Sequence, residues 1–156
     1  TPYVLGAIAI TKRLSPTTVT GLLACAEVPR PAAADHLIVV NTGPEVLTGS
    51  TRMKAGTATK LVLNTISTTL MVRSGRVYEN LMVDLRATNA KLRDRAARIV
   101  ATLTGLDRAG ALALLDRVGG EAKTAVVAQR LGLSPDAARQ HLAENGGRLD
   151  RVFLTR

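Results

Sequence analysis

The first part of the chain alternates between helical and strand-like patterns of hydrophobic positions. Apolar residues at helical spacing predict a helix over residues 4–13, with Pro2 in its first turn. A run that opens with β-branched residues predicts a strand over residues 18–26. After a loop with two prolines, the apolar run HLIVVN predicts a short buried strand over residues 36–41. Together these elements predict an α/β fold, in which the two strands close a parallel sheet.

The middle of the chain predicts two helices joined by a bridge. The first is expected over residues 51–73, and after Lys60 its apolar side chains point in several directions. We therefore expect it to be covered on more than one side, by a sheet and by a partner subunit, which predicts a homodimer or a larger assembly. Gly75 ends this helix, and residues 78–87 lead to a basic amphipathic helix over residues 88–103.

The last third of the chain predicts three short helices. They span residues 107–118, 121–131 and 134–145. Asp107 can cap the first helix, and Ser134 can cap the third, where a proline follows in the first turn. A small three-helix module is therefore expected here.

The second and third of these helices also resemble a helix-turn-helix, with Gly132 in the turn. A helix that reads DNA should present several basic or amide side chains to the groove. The third helix instead mixes basic, amide and acidic groups: Arg139, Gln140 and His141 beside Asp136 and Glu144. We expect no specific binding to nucleic acid, and a DNA-binding regulator is the less favoured alternative.

Composition places the chain among soluble globular proteins. Its 156 residues can bury a core, and 46% are hydrophobic, 21% charged and 2% aromatic. The longest apolar run, residues 61–72, is interrupted by polar residues and is too short to span a bilayer. No signal peptide is recognisable. These features predict a cytoplasmic protein without a membrane partner.

The few metal-binding residue types argue against a metal centre. Cys25 is the only cysteine, so neither an internal disulfide nor a cysteine-based metal site can form, and we expect a buried, inert thiol. His36 and His141 lie far apart, without the acidic or cysteine neighbours of a metal site. Neither a metal nor another cofactor is expected.

The formal charge of +9 is concentrated in the middle of the chain. Residues 50–100 hold 10 Lys and Arg against 3 Asp and Glu, whereas residues 1–49 hold 3 of each kind. A phosphorylated ligand or an acidic neighbour explains this excess as well as a polyanion does.

The richest stretch for chemistry is TGPEVLTGSTRMKAGTATK, residues 42–60. It combines hydroxyl side chains, three glycines and the cations Arg52 and Lys54. If the helix starts at Ser50 or Thr51, its free N–H groups and the positive end of its dipole face these groups, an arrangement that suits a phosphate. In the alternative, Ser50 simply caps the helix and both cations are solvated.

The run GPEVLTGSTRMKAGTATKLVLN, followed by NLMVDLRATNAKLRDRAARIV, resembles the signature of the N-acetylmuramic acid 6-phosphate etherases. These are relatives of the glucokinase regulatory protein within the sugar isomerase (SIS) phosphosugar-binding folds. The opening TPYVLGA resembles the piece that follows the second phosphosugar loop of that family. The resemblance implies a C-terminal portion: residues 1–104 as the later part of an SIS-type sandwich, and residues 105–156 as a helical module of ubiquitin-associated type.

The resemblance implies a carbon–oxygen lyase of cell-wall sugar recycling. Elimination of lactate from N-acetylmuramic acid 6-phosphate and addition of water give N-acetylglucosamine 6-phosphate and D-lactate. The family is understood to use glutamates that would lie upstream of Thr1, so this chain alone is expected to be inactive. A sugar-phosphate sensor without catalysis is the alternative.

The resemblance also directs attention to five residues that would contact or position a phosphorylated amino sugar: Glu45, Ser50, Thr51, Arg52 and Lys54. Glu45 is the one nearby acid and hence a weak catalytic candidate. An equally good interpretation makes it a turn residue that binds N–H groups of the loop.

Overall fold

The computed structural model describes residues 2–154, which form seven helices and four short strands. In chain order these are α1 (Pro2–Leu14), β1 (Gly21–Ala24), β2 (His36–Val39), α2 (Lys54–Arg73), β3 (Val77–Tyr78), β4 (Leu81–Met82), α3 (Ala90–Thr104), α4 (Arg108–Arg117), α5 (Ala122–Leu131), α6 (Pro135–Glu144) and α7 (Leu149–Leu154). The predicted α/β class is confirmed, with helices predominating over two small sheets. None of the helices within this range has the length and apolar character needed to cross a membrane.

Contacts divide the chain into two compact units, of which the first ends at Ser67 and the second begins at Thr68. The division falls within α2. Helix α3 packs against α4 and α5 within the second unit, and the division expected after residue 104 stays a prediction.

The sheet of the first unit consists of β1 and β2. The two strands are parallel, as predicted, and their register runs from Gly21 opposite His36 to Ala24 opposite Val39. The prediction of a buried strand over residues 36–41 is wrong, because no residue of β2 is fully buried, and none of β1 is either. A strand in a parallel sheet is buried by neighbouring strands and by helices on both faces, and here each strand has one neighbour among the described residues.

Asp35 ties α1 to the start of both strands. Its carboxylate lies 2.7 Å from the Lys12 ammonium and accepts the Thr20 backbone N–H at 2.7 Å and the Thr20 hydroxyl at 3.1 Å. The Lys12 hydrogen bond, followed by that from the Thr20 backbone, lowers the pKa of Asp35 to about 2. The carboxylate therefore stays ionised at neutral pH and holds α1 beside the sheet.

Helix α2 begins at Lys54, three residues later than predicted, and ends at Arg73 as predicted. None of its residues is buried, and Leu61, Leu63 and Leu70 are 62%, 54% and 59% exposed. The cover that we expected on more than one side is not supplied by the described residues of this chain.

The second unit encloses the main hydrophobic core. Helices α3 to α6 lie within two residues of their predicted bounds, and Asp107 and Ser134 cap α4 and α6 as predicted. Two elements were not predicted: α7 and the hairpin of β3 and β4, which lies in the predicted bridge. The largest fully buried side chains are Leu115, Leu149, Val83, Val100, Val118, Val126 and Val127.

The end of α2 is held by Arg148, which precedes α7. Its guanidinium donates to the carbonyl oxygen of Arg73 at 2.6 Å and to Asp150 at 2.6 Å. Gly75 has a φ of +70° and packs so closely that a Cβ there would lie 2.5 Å from Cγ of Arg148. Only glycine fits both the backbone conformation and the space.

We predict that Gly75→Ala destabilises the protein more than Gly119→Ala, the matched control. Both glycines have positive φ, which costs alanine about 1–2 kcal/mol, but nothing lies within 4 Å of a Cβ at Gly119. The clash with Arg148 should add about 1–3 kcal/mol, typical of overpacking. Urea denaturation followed by circular dichroism measures both losses. Equal losses of stability in the two variants would show that the Arg148 side chain moves away from the added methyl group without destabilising the fold.

Candidate functional site

The candidate site lies where both parallel strands of the first unit end. Beyond β1 and β2 the pairing continues, as the N–H of Val40 donates to the carbonyl of Ala24 at 2.9 Å and that of Thr42 to Cys25 at 3.4 Å. Residues 42–53 then lead to α2. Ligands of parallel α/β sheets collect outside the carboxyl ends of the strands, so this loop has the expected position for binding.

A tight turn begins the loop. The side-chain oxygen of Asn41 accepts the N–H of Gly43 at 3.2 Å, and Gly43 has a φ of +64°. A Cβ at Gly43 would lie 4.0 Å from the ammonium nitrogen of Lys54. The positive charge of Lys54 is therefore held beside the backbone of this turn.

The side chain of Glu45 caps α2. One carboxylate oxygen accepts the backbone N–H of Lys54 at 3.0 Å and the other accepts that of Ala55 at 3.0 Å. The pKa of Glu45 is lowered, most strongly by the hydrogen bond from the N–H of Ala55 and next by that from the N–H of Lys54. The charge of Lys54 lowers it further. A carboxylate at the N-terminus of a helix is also favoured by the helix dipole.

The predicted start of the helix at Ser50 or Thr51 is wrong. Residues 51–53 form turns, and the carbonyl of Thr51 accepts the N–H of Gly56 at 2.8 Å. The first N–H groups of the helix, those of Lys54 and Ala55, donate to the carboxylate of Glu45. They are therefore not free to bind an anion, although we had expected them to be free. The physical reason is that Glu45, nine residues upstream, supplies a stronger, charged cap than a serine hydroxyl does.

An open depression of about 510 Å³ adjoins the cap. Its lining consists of Cys25, Ala26, Thr42, Gly43, Pro44, Glu45, Thr48, Gly49, Thr51 and Ala55. Of the five predicted substrate-binding residues, Glu45 and Thr51 line this space, whereas Ser50, Arg52 and Lys54 do not. The depression thus offers hydroxyls and backbone groups, with the ammonium of Lys54 close to its Gly43 rim.

Cys25 belongs to this site, and sequence analysis missed it. The residue is half-buried, not buried as predicted, and its sulfur lies 3.4 Å from the carbonyl oxygen of Ala55 and 3.4 Å from the hydroxyl of Thr59. It connects the end of β1 to the first turns of α2. Its place near the carboxyl end of the strand predicted over residues 18–26 was the signal that could have identified it.

Metal-binding groups are not gathered here. Within residues 2–154 no three His, Cys, Asp or Glu side chains are placed to hold a metal ion. His36 is exposed at the start of β2, and His141 is half-buried on α6. Among the described residues that line the depression, Glu45 is the one acid.

The chain is similar to curated bacterial proteins over nearly its whole length. A Rubrobacter xylanophilus relative is 56% identical over 92% of this chain and 47% of its own length, and a Deinococcus radiodurans relative is 51% identical over 98% of the chain and 50% of its own length. A Serratia proteamaculans relative is 46% identical over 100% of the chain and 52% of its own length. All three are named N-acetylmuramic acid 6-phosphate etherase. The resemblance to this family is confirmed.

The chain spans about half the length of the etherases that it matches. No family model matches it.

The side chains that would read DNA are engaged within the protein. Arg139 on α6 donates to Glu121 at 2.9 Å and to Asp136 at 2.8 Å, and Gln140 donates to Glu144 at 2.9 Å. The third candidate reading side chain, His141, lies 3.9 Å from Glu144, so all three have acidic neighbours, which does not favour a role of α6 in the major groove.

We predict that the Glu45 cap weakens in acid. A pKa that is lower in the folded state means that the cap contributes stability above the unfolded pKa and loses it as the pH falls through the folded pKa. The backbone amide signals of Lys54 and Ala55 in nitrogen-15 NMR spectra should therefore titrate with a midpoint below the usual range for glutamate. This inflection should vanish in Glu45→Gln. A midpoint above that range would instead describe a protonated acid suited to proton donation.

Proposed function

We propose that this chain supplies a sugar-phosphate-binding loop of an N-acetylmuramic acid 6-phosphate etherase. The observation that carries the proposal is the position of residues 42–55 at the carboxyl ends of two parallel strands, where hydroxyls line a depression and a lysine ammonium lies near its rim. Relatives named etherases support the substrate class, a phosphorylated amino sugar. The whole enzyme would cleave the D-lactyl ether as a lyase, giving N-acetylglucosamine 6-phosphate and D-lactate.

Each residue of the loop has a proposed role. Thr51, which lines the depression, and Lys54, whose ammonium lies near its rim, would bind the phosphate directly. Ser50 and Arg52 would add a hydroxyl and a second positive charge from the same loop. Glu45 would hold the loop in place instead of touching the sugar, since both of its oxygens bind backbone N–H groups.

The groups that would transfer protons in the reaction are proposed to lie outside this loop. Elimination removes a proton from the sugar and protonates the departing ether oxygen, and efficient groups for this work have a pKa near the operating pH. The lowered pKa of Glu45 makes it a weak base and a poor proton donor at neutral pH. We therefore place the catalytic acids in the half of the etherases that this chain does not span. A sugar-phosphate sensor would share the loop, but no observation here favours it.

The same family relation underlies a proposed architecture. Residues 1–104 would be the later part of an SIS-type sandwich, and residues 105–156 a helical module. The parallel pair of β1 and β2 supports the first assignment, and α4, α5 and α6 support the second. We also propose a cytoplasmic homodimer, supported by the exposed apolar side chains of α2.

We predict that N-acetylglucosamine 6-phosphate binds at residues 42–54. Arg52→Ala and Lys54→Ala should each weaken binding by about 1.5–3 kcal/mol, roughly 10- to 150-fold in Kd, because each removes a charge-assisted contact. Lys60→Ala is the matched control, since it removes an exposed lysine charge farther along α2. Isothermal titration calorimetry gives all the affinities. Equal weakening by all three variants would mean that net charge, and not a site, attracts the phosphate.

We predict that the chain is a dimer at tens of micromolar and that α2 contributes to the contact. Leu63→Lys places a charge on an exposed apolar face that also carries Ile66, and it should shift the protein toward monomer. Leu154→Lys, at a residue 78% exposed on α7, should leave the assembly intact. Sedimentation velocity distinguishes these outcomes. A monomeric unmodified chain would contradict the prediction.

A further inference from the structure

The first unit carries most of the exposed apolar surface. Among the described residues, 14 of the 18 exposed large hydrophobic side chains precede Thr68. A continuous part of this surface is a groove of about 510 Å³. Val4 and Leu5 of α1 form one wall, residues 22–24 of β1 form another, and the segment 28–31 completes it.

The groove lies along the unpaired edge of β1. The strand pairs with β2, no residue of β2 lines the groove, and among the described residues β1 has no second neighbour. An unpaired edge presents a row of backbone N–H and C=O groups that can pair with another strand. A parallel sheet of two strands is also too small to bury either face. Among the described residues, the backbone edge of β1 and the apolar side chains of the groove therefore both lack a partner.

The groove suits an apolar occupant. Of the described residues that line it, Arg30 is the one with a charge, and its guanidinium donates to the carbonyl oxygens of Ala34 at 3.0 Å and Asp35 at 3.2 Å. Its hydrogen bonds are made within the first unit, so it does not demand an acidic partner. A hydrophobic strand beside β1, with an apolar face against α1, would satisfy both the edge and the groove.

We infer that this groove is the docking surface for the half of an etherase-type fold that this chain does not span, whether joined to it or supplied separately. The curated relatives are about twice as long as the matched region, so a complementary half exists in each of them. That half would add a strand to the edge of β1 and cover Leu5 and Leu22. The inference rests on the family relation and is independent of the roles proposed for the phosphate loop.

The test mixes the full chain with the separately expressed remaining half of the Deinococcus radiodurans relative, which is 51% identical over 98% of this chain. Sedimentation velocity should reveal a one-to-one complex. Hydrogen exchange should show new protection in residues 21–24 on complex formation. If no complex forms at tens of micromolar, or if protection appears elsewhere and not in β1, the inference is overturned.

A variant and a matched control on the same helix locate the surface. Leu5, 45% exposed, lines the groove, and Leu14, 76% exposed, lies nine residues later on about the opposite side of α1. Leu5→Glu should weaken the complex by at least about tenfold, because it would bury a carboxylate against apolar groups. Leu14→Glu should leave Kd within about twofold, since it lies outside the contact. Circular dichroism verifies that both variants fold, and Val4→Ser provides a milder second variant in the groove.

The binding of the variants and the release of lactate distinguish this inference from the alternatives. Equal weakening by Leu5→Glu and Leu14→Glu, or a self-association that depends on Leu5 without any mixed complex, overturns the inference in favour of a less specific surface or of a second copy of the chain. Lactate release is measured separately on the mixed sample. A complex that depends on Leu5 but releases no lactate supports the docking surface while it contradicts the proposed etherase function.

Discussion

The position of the loop before α2 depends on one interaction, the pair of hydrogen bonds from Glu45 to the backbone of Lys54 and Ala55. Without this carboxylate, two N–H groups at the end of a helix would lack protein partners, and residues 46–53 would lose their anchor. The cap fixes where α2 begins. It also fixes the start of the Lys54 side chain, whose ammonium lies beside Gly43 at the rim of the depression.

This cap changes how the site can recognise a phosphate. The positive end of the helix is already partly neutralised by Glu45, so affinity for an anion would depend on the charge of Lys54 and on hydroxyls such as that of Thr51 more than on free helix N–H groups. The same bonds keep Glu45 ionised. In the proposed function, phosphate binding by this loop would therefore be separate from acid–base catalysis, which accords with a chain that spans about half the length of the etherases it matches.

The sequence predicted the elements whose signals are local. Helices α4 and α6 were placed accurately because Asp107 and Ser134 cap them from adjacent positions. The start of α2 was missed because its cap comes from Glu45, nine residues away, and only the folded loop brings the two together. Burial of β2 was overestimated because it depends on neighbouring strands, which an apolar run does not reveal. The hairpin around Glu79, whose φ is 54°, has strands too short for an alternating pattern.

The most direct test of the central claim is a crystal structure of this chain with N-acetylglucosamine 6-phosphate. The account predicts the phosphate in the depression, within hydrogen-bond distance of the Thr51 hydroxyl and the Lys54 ammonium, while Glu45 still accepts the N–H groups of Lys54 and Ala55. It would be contradicted by a phosphate bound at another surface, or by a Glu45 carboxylate that has left the helix and contacts the sugar.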